Sequence, residues 1–95
     1  MKILDAKLVR KGSLVATFGV CVPKWGGFIL RKVTFYQKGG QEWVCLPAES
    51  YEKDGKKCYY PLNTFEDKKT EEAFKDKVRE LIKEWINQQG QDANY

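Results

Sequence analysis

Two adjacent glycines, Gly39 and Gly40, separate two strand-like runs in the middle of the chain. Glycine adopts the positive φ angles of a tight hairpin turn without steric cost, so residues 38–41 predict a hairpin between these runs. Side chains alternate along a strand, so residues 28–36 should divide into two faces. Strict alternation places Ile29, Arg31, Val33 and Phe35 on one face and Phe28, Leu30, Lys32, Thr34 and Tyr36 on the other. Neither face is apolar throughout, so we expect one to pack on a core while the other presents aromatic and basic groups.

More strands are predicted on both sides of this hairpin. Residues 3–10 alternate as a half-buried strand does, and residues 14–22 are apolar on both faces, as in a central strand. Gly12 favours a hairpin between them, and Pro23 should end the second strand because proline cannot donate a ladder hydrogen bond. Residues 47–55 are expected to be irregular up to a tight turn at Asp54-Gly55, around which a strand pair would display tyrosines beside lysines.

One helix is predicted near the C-terminus. Thr70 has a side chain suited to an N-cap, and the acidic Glu71 and Glu72 follow it at the positive end of the helix dipole. An apolar stripe recurs at helical spacing and is expected to face the core: Phe74, Val78, Leu81, Ile82 and Trp85. Trp43 is likewise expected in the core. Residues 1–88 then form a single domain, and residues 89–95 form a flexible C-terminal tail.

These elements together predict an α+β fold. A chain of 95 residues has room for one hydrophobic core. We expect an antiparallel sheet of about five strands packed against the one C-terminal helix. A single helix covers only one face of such a sheet. The other face must then be polar, occupied by a ligand or buried in an oligomer, because wide apolar patches are uncommon on monomers.

The residue types that the chain lacks limit its chemistry. It has no histidine, which excludes imidazole metal ligands and Ser-His or Cys-His catalytic pairs. Its three cysteines are an odd number, their spacing matches no zinc site, and they lie in strand-like runs as small apolar residues do. The N-terminus lacks a signal-peptide pattern, and no stretch is long enough to span a membrane. We therefore expect a non-enzymatic cytoplasmic protein with no catalytic residue, metal site or cofactor, and no membrane partner.

Charge is distributed unevenly along the chain. Residues 1–60 contain eleven Lys or Arg against five Asp or Glu, whereas residues 61–95 contain six against eight. The strand-rich part therefore carries about six net positive charges, and the helical part about two net negative charges. A polyanion would bind the sheet and not the helix. Ordinary solubilising lysines are the simpler explanation of the same distribution.

Aromatic and basic residues lie close together at several places in the strand-rich part. Lysines neutralise phosphates, and aromatic rings stack on unpaired bases, so such mixtures favour single-stranded nucleic acid. The candidate nucleic-acid-binding residues are Lys24, Trp25, Arg31, Lys32, Tyr36, Lys53, Lys56, Lys57 and Tyr59. Each has an alternative interpretation. Trp25 could plug the end of the sheet under the helix, and the lysines around Asp54-Gly55 could be ordinary turn residues. Arg31, Lys32 and Tyr36 could belong to a solvent-facing sheet with ordinary charge, and Tyr59 could be present as a strand former.

Several segments occur in a characteristic order. The chain opens with I-L-D-A-K-L-V-R, continues through V-A-T-F-G-V, F-I-L-R-K-V and W-V-C-L-P, and has D-G-K-K-C-Y-Y-P-L-N before the helix. This order, over most of residues 2–85, resembles the SpoVG family. The resemblance implies a small, strand-rich, homodimeric bacterial regulator that contacts DNA and RNA through basic residues. Its pattern residues map onto Arg31, Pro47, Asp54, Gly55, Pro61 and the helix from Thr70. A more distant similarity to PC4-like single-stranded DNA-binding proteins implies the same general function.

The sequence thus favours a non-catalytic nucleic-acid-binding protein that uses a basic, aromatic-bearing sheet surface. Single-stranded DNA or RNA is preferred over a duplex, because the helix is needed for the core and shows no recognition-helix pattern. The alternative is a homo-oligomeric interaction or adaptor module whose exposed sheet edge pairs with another chain.

Overall fold

The computed structural model describes residues 1–92 of the chain as six strands and one helix. The strands are β1 (Lys2–Lys11), β2 (Leu14–Val22), β3 (Phe28–Lys38), β4 (Gln41–Cys45), β5 (Ala48–Lys53) and β6 (Lys56–Pro61), and the helix is α1 (Lys68–Asp92). Strands β1 to β4 form an antiparallel sheet in the order β1-β2-β3-β4, while β5 and β6 pair only with each other. The predicted α+β fold is confirmed, with the six strands divided between two sheets. As predicted, β2 is central and ends before Pro23, where a single 3₁₀ turn begins.

All three predicted glycine turns are present. Gly12 joins β1 to β2 with a φ angle of 61°. Gly39 and Gly40 join β3 to β4 with φ angles of 59° and 82°, and Asp54 and Gly55 join β5 to β6 with φ angles of 54° and 77°. Two central residues with positive φ are typical of the tight turns whose twist matches that of a hairpin. Strands β5 and β6 form the predicted strand pair around Asp54-Gly55. Strand β5 already begins at Ala48, so the prediction of an irregular segment up to this turn was wrong. The reason is that β5 is exposed on both faces and therefore has no apolar alternation to reveal it.

Two β-bulges flank Gly19 and change which side chains share a face. Between Leu30 and Val33, β3 has two residues where β2 has only Gly19, and Lys32 in this bulge has a φ angle of 60°. The extra residue reverses the alternation, so Leu30 shares a buried face with Val33. The predicted division of residues 28–36 by strict alternation was therefore wrong. A similar bulge in β1 begins at Asp5, which has a φ angle of 50°.

The hydrophobic core lies between α1 and one face of the four-stranded sheet. Helix α1 crosses the sheet and contacts both edge strands, β1 and β4. The core side chains are Val15, Ala16, Phe18, Val20, Val22, Leu30, Val33, Phe35, Val44, Phe74, Val78 and Ile82. Four of the five residues of the predicted apolar stripe of α1 face the core, since Phe74, Val78 and Ile82 are in this cluster and Trp85 packs against it. Leu81 is half-buried but is not part of this packing. The bulge in β3 contributes to this core, because it brings Leu30 onto the same side of the sheet as Val33 and Phe35.

Trp43 lies on the opposite side of the sheet from the core. Trp43 pairs with Tyr36 in the register and is 37% exposed. The next residue, Val44, faces α1, so Trp43 must face away from it. The expectation that Trp43 belongs to the core was therefore wrong. Hydrophobicity alone does not say which face of a strand a residue occupies, whereas the pairing of Val44 with Phe35 does.

The helix begins earlier than predicted, and Asp67 is its N-cap. The backbone N–H of Lys69 donates to Asp67 Oδ1 at 3.2 Å, and the Thr70 hydroxyl donates to Asp67 Oδ2 at 2.6 Å. The prediction of Thr70 as the N-cap was wrong, because Asp67 lies three residues earlier and takes that role while Thr70 supports it. At the other end α1 continues to Asp92, so residues 89–92 of the predicted tail are helical. Residues 93–95 lie outside the described residues, and the flexible tail stays a prediction.

Asp67 is expected to make the stability of the protein pH-dependent. The Thr70 hydroxyl and the Lys69 N–H hold the pKa of Asp67 below its usual value of 3.8. A lowered pKa in the folded state means that the cap stabilises the fold above the usual pKa, and that this contribution is lost as the pH falls through the folded-state pKa. Thermal melts between about pH 5 and pH 1 should show this loss in the wild type. Asp67→Asn, which still caps the helix but cannot titrate, should lack it. Identical pH profiles for the two proteins would contradict the assignment.

Helix α1 is long but carries many charged residues. Within residues 1–92 no helix combines the length and the apolar character needed to cross a membrane.

Candidate functional site

The face of the four-stranded sheet away from α1 is not covered by another element of the described chain. We call it the open face. Its side chains follow from the register: one row across the sheet contains Lys7, Thr17, Thr34 and Cys45, and a second contains Lys11, Leu14, Tyr36 and Trp43. Paired residues share a face, and these rows alternate with rows of core residues. The open face therefore mixes lysine and threonine side chains with apolar and aromatic ones, on the side of an antiparallel sheet that often faces solvent.

Positive charge dominates the open face. The register and the bulge place six cationic side chains there: Lys2, Lys7, Lys11, Arg31, Lys32 and Lys38. Strands β1 to β4 contain two acidic residues. Glu42 faces α1, where it accepts a 2.8 Å hydrogen bond from Lys83. The hydrogen bond from Lys83 and a weaker contribution from Gln37 lower the pKa of Glu42. Asp5 is 4.0 Å from Arg31, and both side chains are well exposed, so solvent screens this ion pair strongly. The open face therefore keeps a net positive charge.

The centre of the open face is a shallow depression of about 440 Å³. Lys7, Arg31 and Lys32 line it from both sides, and Gly19 forms part of its floor. A Cβ atom added at Gly19 would lie 3.3 Å from the backbone oxygen of Leu30, which is closer than ordinary van der Waals contact. Backbone therefore forms part of the floor, and Asp5 lines the depression together with the three cations. Such a surface suits an extended anionic chain better than a compact ligand.

An aromatic pair borders this basic surface on the β4 side. The rings of Tyr36 and Trp43 stack with centroids 5.5 Å apart and planes 8° from parallel. Tyr36 is half-buried, whereas Trp43 is exposed. The stack fixes the orientation of Trp43 and leaves part of its ring open to a further planar group.

The hairpin β5–β6 projects from the body, and we call it the arm. All of its residues except Cys58 are exposed. At its base the N–H of Leu62 donates to the carbonyl oxygen of Pro47 at 3.0 Å. On one face of the arm, Lys57 Nζ lies 5.8 Å from the ring centroid of Tyr59, within the range of a cation–π contact. The arm therefore presents a ring and a cation together.

A groove of about 600 Å³ lies between the arm, the β3–β4 side of the open face and the start of α1. We call it the arm groove. Strand β4 pairs with β3 only as far as Thr34, so the earlier part of β3 has a free edge beside this groove. Three elements line the groove. The arm contributes Ala48, Tyr59 and Pro61, and the open face contributes Lys32, Thr34, Tyr36 and Cys45. Helix α1 contributes Lys75, whose ammonium group lies 3.3 Å from the carboxylate of Glu71. Aromatic and cationic groups from three separate elements thus meet in one groove.

A second, smaller pocket of about 150 Å³ adjoins the arm groove. We call it the aromatic pocket. Its lining residues are Trp25, Phe28, Leu30, Leu46, Asn63, Thr64, Phe65 and Phe74, and it shares Leu46 and Asn63 with the arm groove. Trp25 is parallel to Phe74 within 7°, at a centroid distance of 6.1 Å. Trp25 therefore does pack at the end of the sheet against the helix, as its alternative interpretation proposed, yet 52% of its surface remains exposed.

The structure brings some of the predicted site residues together and separates others. Arg31 lies on the open face, and Lys32 and Tyr36 belong both to the open face and to the arm groove. Tyr59 lines the groove from the arm, with Lys57 beside it. Trp25 lines the adjoining aromatic pocket, whereas its exposed chain neighbour Lys24 lines neither this pocket nor the arm groove. Lys53 and Lys56 pair with each other next to the arm turn and line neither cavity. The predicted set therefore divides into a central group, an adjoining group and a pair at the arm tip.

Sequence reasoning missed three residues of this region. Lys7 lines the central depression, Trp43 stacks on Tyr36, and Lys75 reaches the arm groove from α1. The alternation in β1 was a usable signal for Lys7, because it separates this lysine from the apolar Ala6 and Leu8. The position of Lys75 depends on how the helix docks, for which the sequence has no comparable signal.

All three cysteines are free thiols, with Cys21 buried and Cys45 and Cys58 half-buried. Over residues 1–92, the Cys, Asp and Glu side chains form no group of three or more that could hold a metal ion.

Comparisons of the chain with protein-family models, curated proteins and solved structures found no match.

Proposed function

We propose that this protein binds single-stranded nucleic acid, without catalysis, through the open face and the arm groove. The observation that carries the proposal is the sorting of charge in the four-stranded sheet. Six cations lie on the open face with a single acid, Asp5, while Glu42 is engaged on the helix side. Lysine and arginine side chains that neutralise phosphates release counterions, and this release is the main source of affinity without sequence preference.

A single strand fits this surface better than a duplex does. Tyr36, on which Trp43 stacks, and Tyr59 line a groove that also contains Lys32. Unpaired bases can stack on such rings, whereas the bases of a duplex are already stacked on each other. The apolar stripe of α1 is used in the core, so this helix is not free to enter a major groove as a recognition helix.

Binding of labelled oligonucleotides tests the proposal. If the strand contacts about four or five of the open-face cations, the slope of log K against log salt should be about −3 for a single strand. Affinity should then fall about 60-fold between about 50 mM and 200 mM salt. Fluorescence anisotropy with single-stranded and duplex forms of one sequence measures both the slope and the preference. An absence of binding at about 50 mM salt, or tighter binding of the duplex, would exclude the proposal.

The resemblance to the SpoVG family and, more distantly, to PC4-like proteins supports the same proposal, since it implies nucleic-acid binding through basic residues. A cytoplasmic location is part of the proposal, because free thiols such as Cys45 and Cys58 persist in a reducing compartment.

A second candidate function is assembly into a homodimer or binding to another protein through the arm. Tyr51 and Tyr60 lie on the face of the arm opposite Tyr59, and Tyr60 is 63% exposed. A two-stranded hairpin is marginally stable by itself, so burial of these rings against another chain would stabilise the arm. Size-exclusion chromatography with light scattering distinguishes the states, because the monomer has a mass of 11.0 kDa. A monomer at all concentrations would exclude the homodimer.

A further inference from the structure

No lysine or arginine lines the aromatic pocket, so counterion release does not account for it. Four aromatic side chains line it: Trp25, Phe28, Phe65 and Phe74. Trp25 contacts the other three rings, with centroid distances between 6.1 and 6.3 Å. Such a cluster would normally close over its own apolar surface. Here Trp25 and Phe28 remain about half exposed, and the space between the rings stays open.

The size and the walls of the pocket suit a single flat ring. A cavity of about 150 Å³ with apolar walls accepts one six-membered aromatic ring such as benzene. Trp25 and Phe74 line the cavity with their planes only 7° apart, so they offer flat surfaces of one orientation. A planar guest that stacks on the exposed ring of Trp25 gains contact over its whole face, whereas a branched aliphatic side chain does not.

The rim and the position of the pocket indicate where such a ring would come from. Asn63 and Thr64 stand at the rim, and an amide or a hydroxyl can both donate and accept a hydrogen bond. Asn63 and Leu46 are also walls of the arm groove, where Lys32 and Tyr59 lie. Lys24 is exposed next to Trp25. A strand that follows the cations of the groove would therefore pass the mouth of the pocket with its bases free to turn inward.

Resting on the nucleic-acid binding proposed above, we propose that the aromatic pocket takes one pyrimidine base of the bound strand, stacked on Trp25 and contacted at its polar edge by Asn63. A purine has a second ring to place and is expected to fit the same cavity less well. The pocket would then give the protein a preference for strands with a pyrimidine at one position, while the open face and the arm groove supply affinity for any sequence.

Comparison of oligothymidine and oligoadenosine of about 15 nucleotides tests the inference by fluorescence anisotropy. Thymidine strands often bind better because they are more flexible, so the wild-type ratio alone does not decide. The deciding result is the change in this ratio on mutation. Trp25→Ala should weaken thymidine binding about tenfold and adenosine binding less than about twofold, because it removes one base–ring stack. Asn63→Ala leaves the rings in place and should also act on the thymidine strand alone.

Lys57→Glu is the matched control, because Lys57 lies in the arm and should contact phosphate in either strand. It should weaken both oligonucleotides by the same factor. If Trp25→Ala and Asn63→Ala also leave the ratio unchanged, the base pocket is excluded while nucleic-acid binding stands. If the wild-type protein binds neither strand, the proposed function fails and this inference fails with it. Melting curves of each variant identify any loss of fold, and Asn63→Ala, at an exposed rim position, keeps the test open if Trp25→Ala unfolds.

Discussion

Replacing Arg31 by Glu and Lys32 by Asp together is expected to weaken single-strand binding about a hundredfold at about 50 mM salt. Each lost phosphate contact removes about 0.7 from the salt slope for a single strand, so the slope should fall in magnitude by about 1.4. The new acidic groups would also lie beside Asp5 and repel the strand. Asp is chosen at position 32 because Lys32 has a φ angle of 60°, which Asp tolerates better than Glu does. Anisotropy titrations at several salt concentrations measure both effects.

The control for this variant carries the same change in net charge. Lys69→Glu combined with Lys77→Glu places two reversals on exposed residues of α1 that line neither the arm groove nor the central depression. Both double variants change the formal net charge from +4 to zero. Equal loss of affinity in the two would show that the protein attracts nucleic acid by total charge and has no defined site. Light scattering on the Arg31 and Lys32 double variant tests assembly separately from nucleic-acid binding, because assembly through the arm tyrosines should survive these changes.

Replacing Phe35 by Ala is expected to lower the free energy of unfolding by about 3 to 5 kcal/mol. Phe35 is completely buried, and in the register it pairs with Ala16 of β2 and Val44 of β4. Truncation leaves a cavity between the sheet and α1 that surrounding side chains fill only in part. Small domains have total stabilities of about 5 to 15 kcal/mol, so this is a large fraction of the whole. Urea unfolding followed by circular dichroism at the helix signal measures the change.

Phe28→Ala is the matched control, because it makes the same chemical change in the same strand. Phe28 is 45% exposed, so its truncation should lower the free energy of unfolding by only about 1 kcal/mol. It should leave no closed cavity. If both variants lost equal stability, the core would not lie where the buried residues of β2, β3 and α1 place it.

Much of the fold was predictable because it depends on local physics. The turns at Gly39-Gly40 and at Asp54-Gly55 were found from residue types that accept positive φ. The end of β2 at Pro23 and the apolar stripe of α1 were found from hydrogen-bonding capacity and helical spacing. A strand pair around Asp54-Gly55 was predicted, but the start of β5 at Ala48 was missed, because neither face of β5 is buried and nothing selects for alternation there. The helix start was misplaced because several capping residues occur close together and only the folded backbone selects Asp67.

The candidate site was predictable only in its composition. Basic and aromatic residues in the strand-rich half were visible as residue types, and this led to Lys32, Tyr36 and Tyr59, which do share the arm groove. Their arrangement was not visible. One bulge begins at Asp5 in β1, and the other ends at Lys32 in β3. Positive φ is uncommon for both residues, so their identity did not indicate a bulge, and strict alternation assigned wrong neighbours along β3. Trp43 was assigned to the core for a different reason: its hydrophobicity does not say which face of β4 it occupies, and that face depends on the register.

By itself the amino-acid sequence determined that one helix and a set of antiparallel strands would form, and that positive charge would be concentrated in the strands. These outcomes depend on turn chemistry, periodicity and composition, which are properties of short segments. The tertiary structure alone decided which side of the sheet α1 covers, how the bulges beside Gly19 shift the faces, and that the arm approaches Lys32 and Tyr36. The physical reason is that register and docking are set by contacts between segments far apart in the chain. A shift of a single residue moves every side chain to the other face.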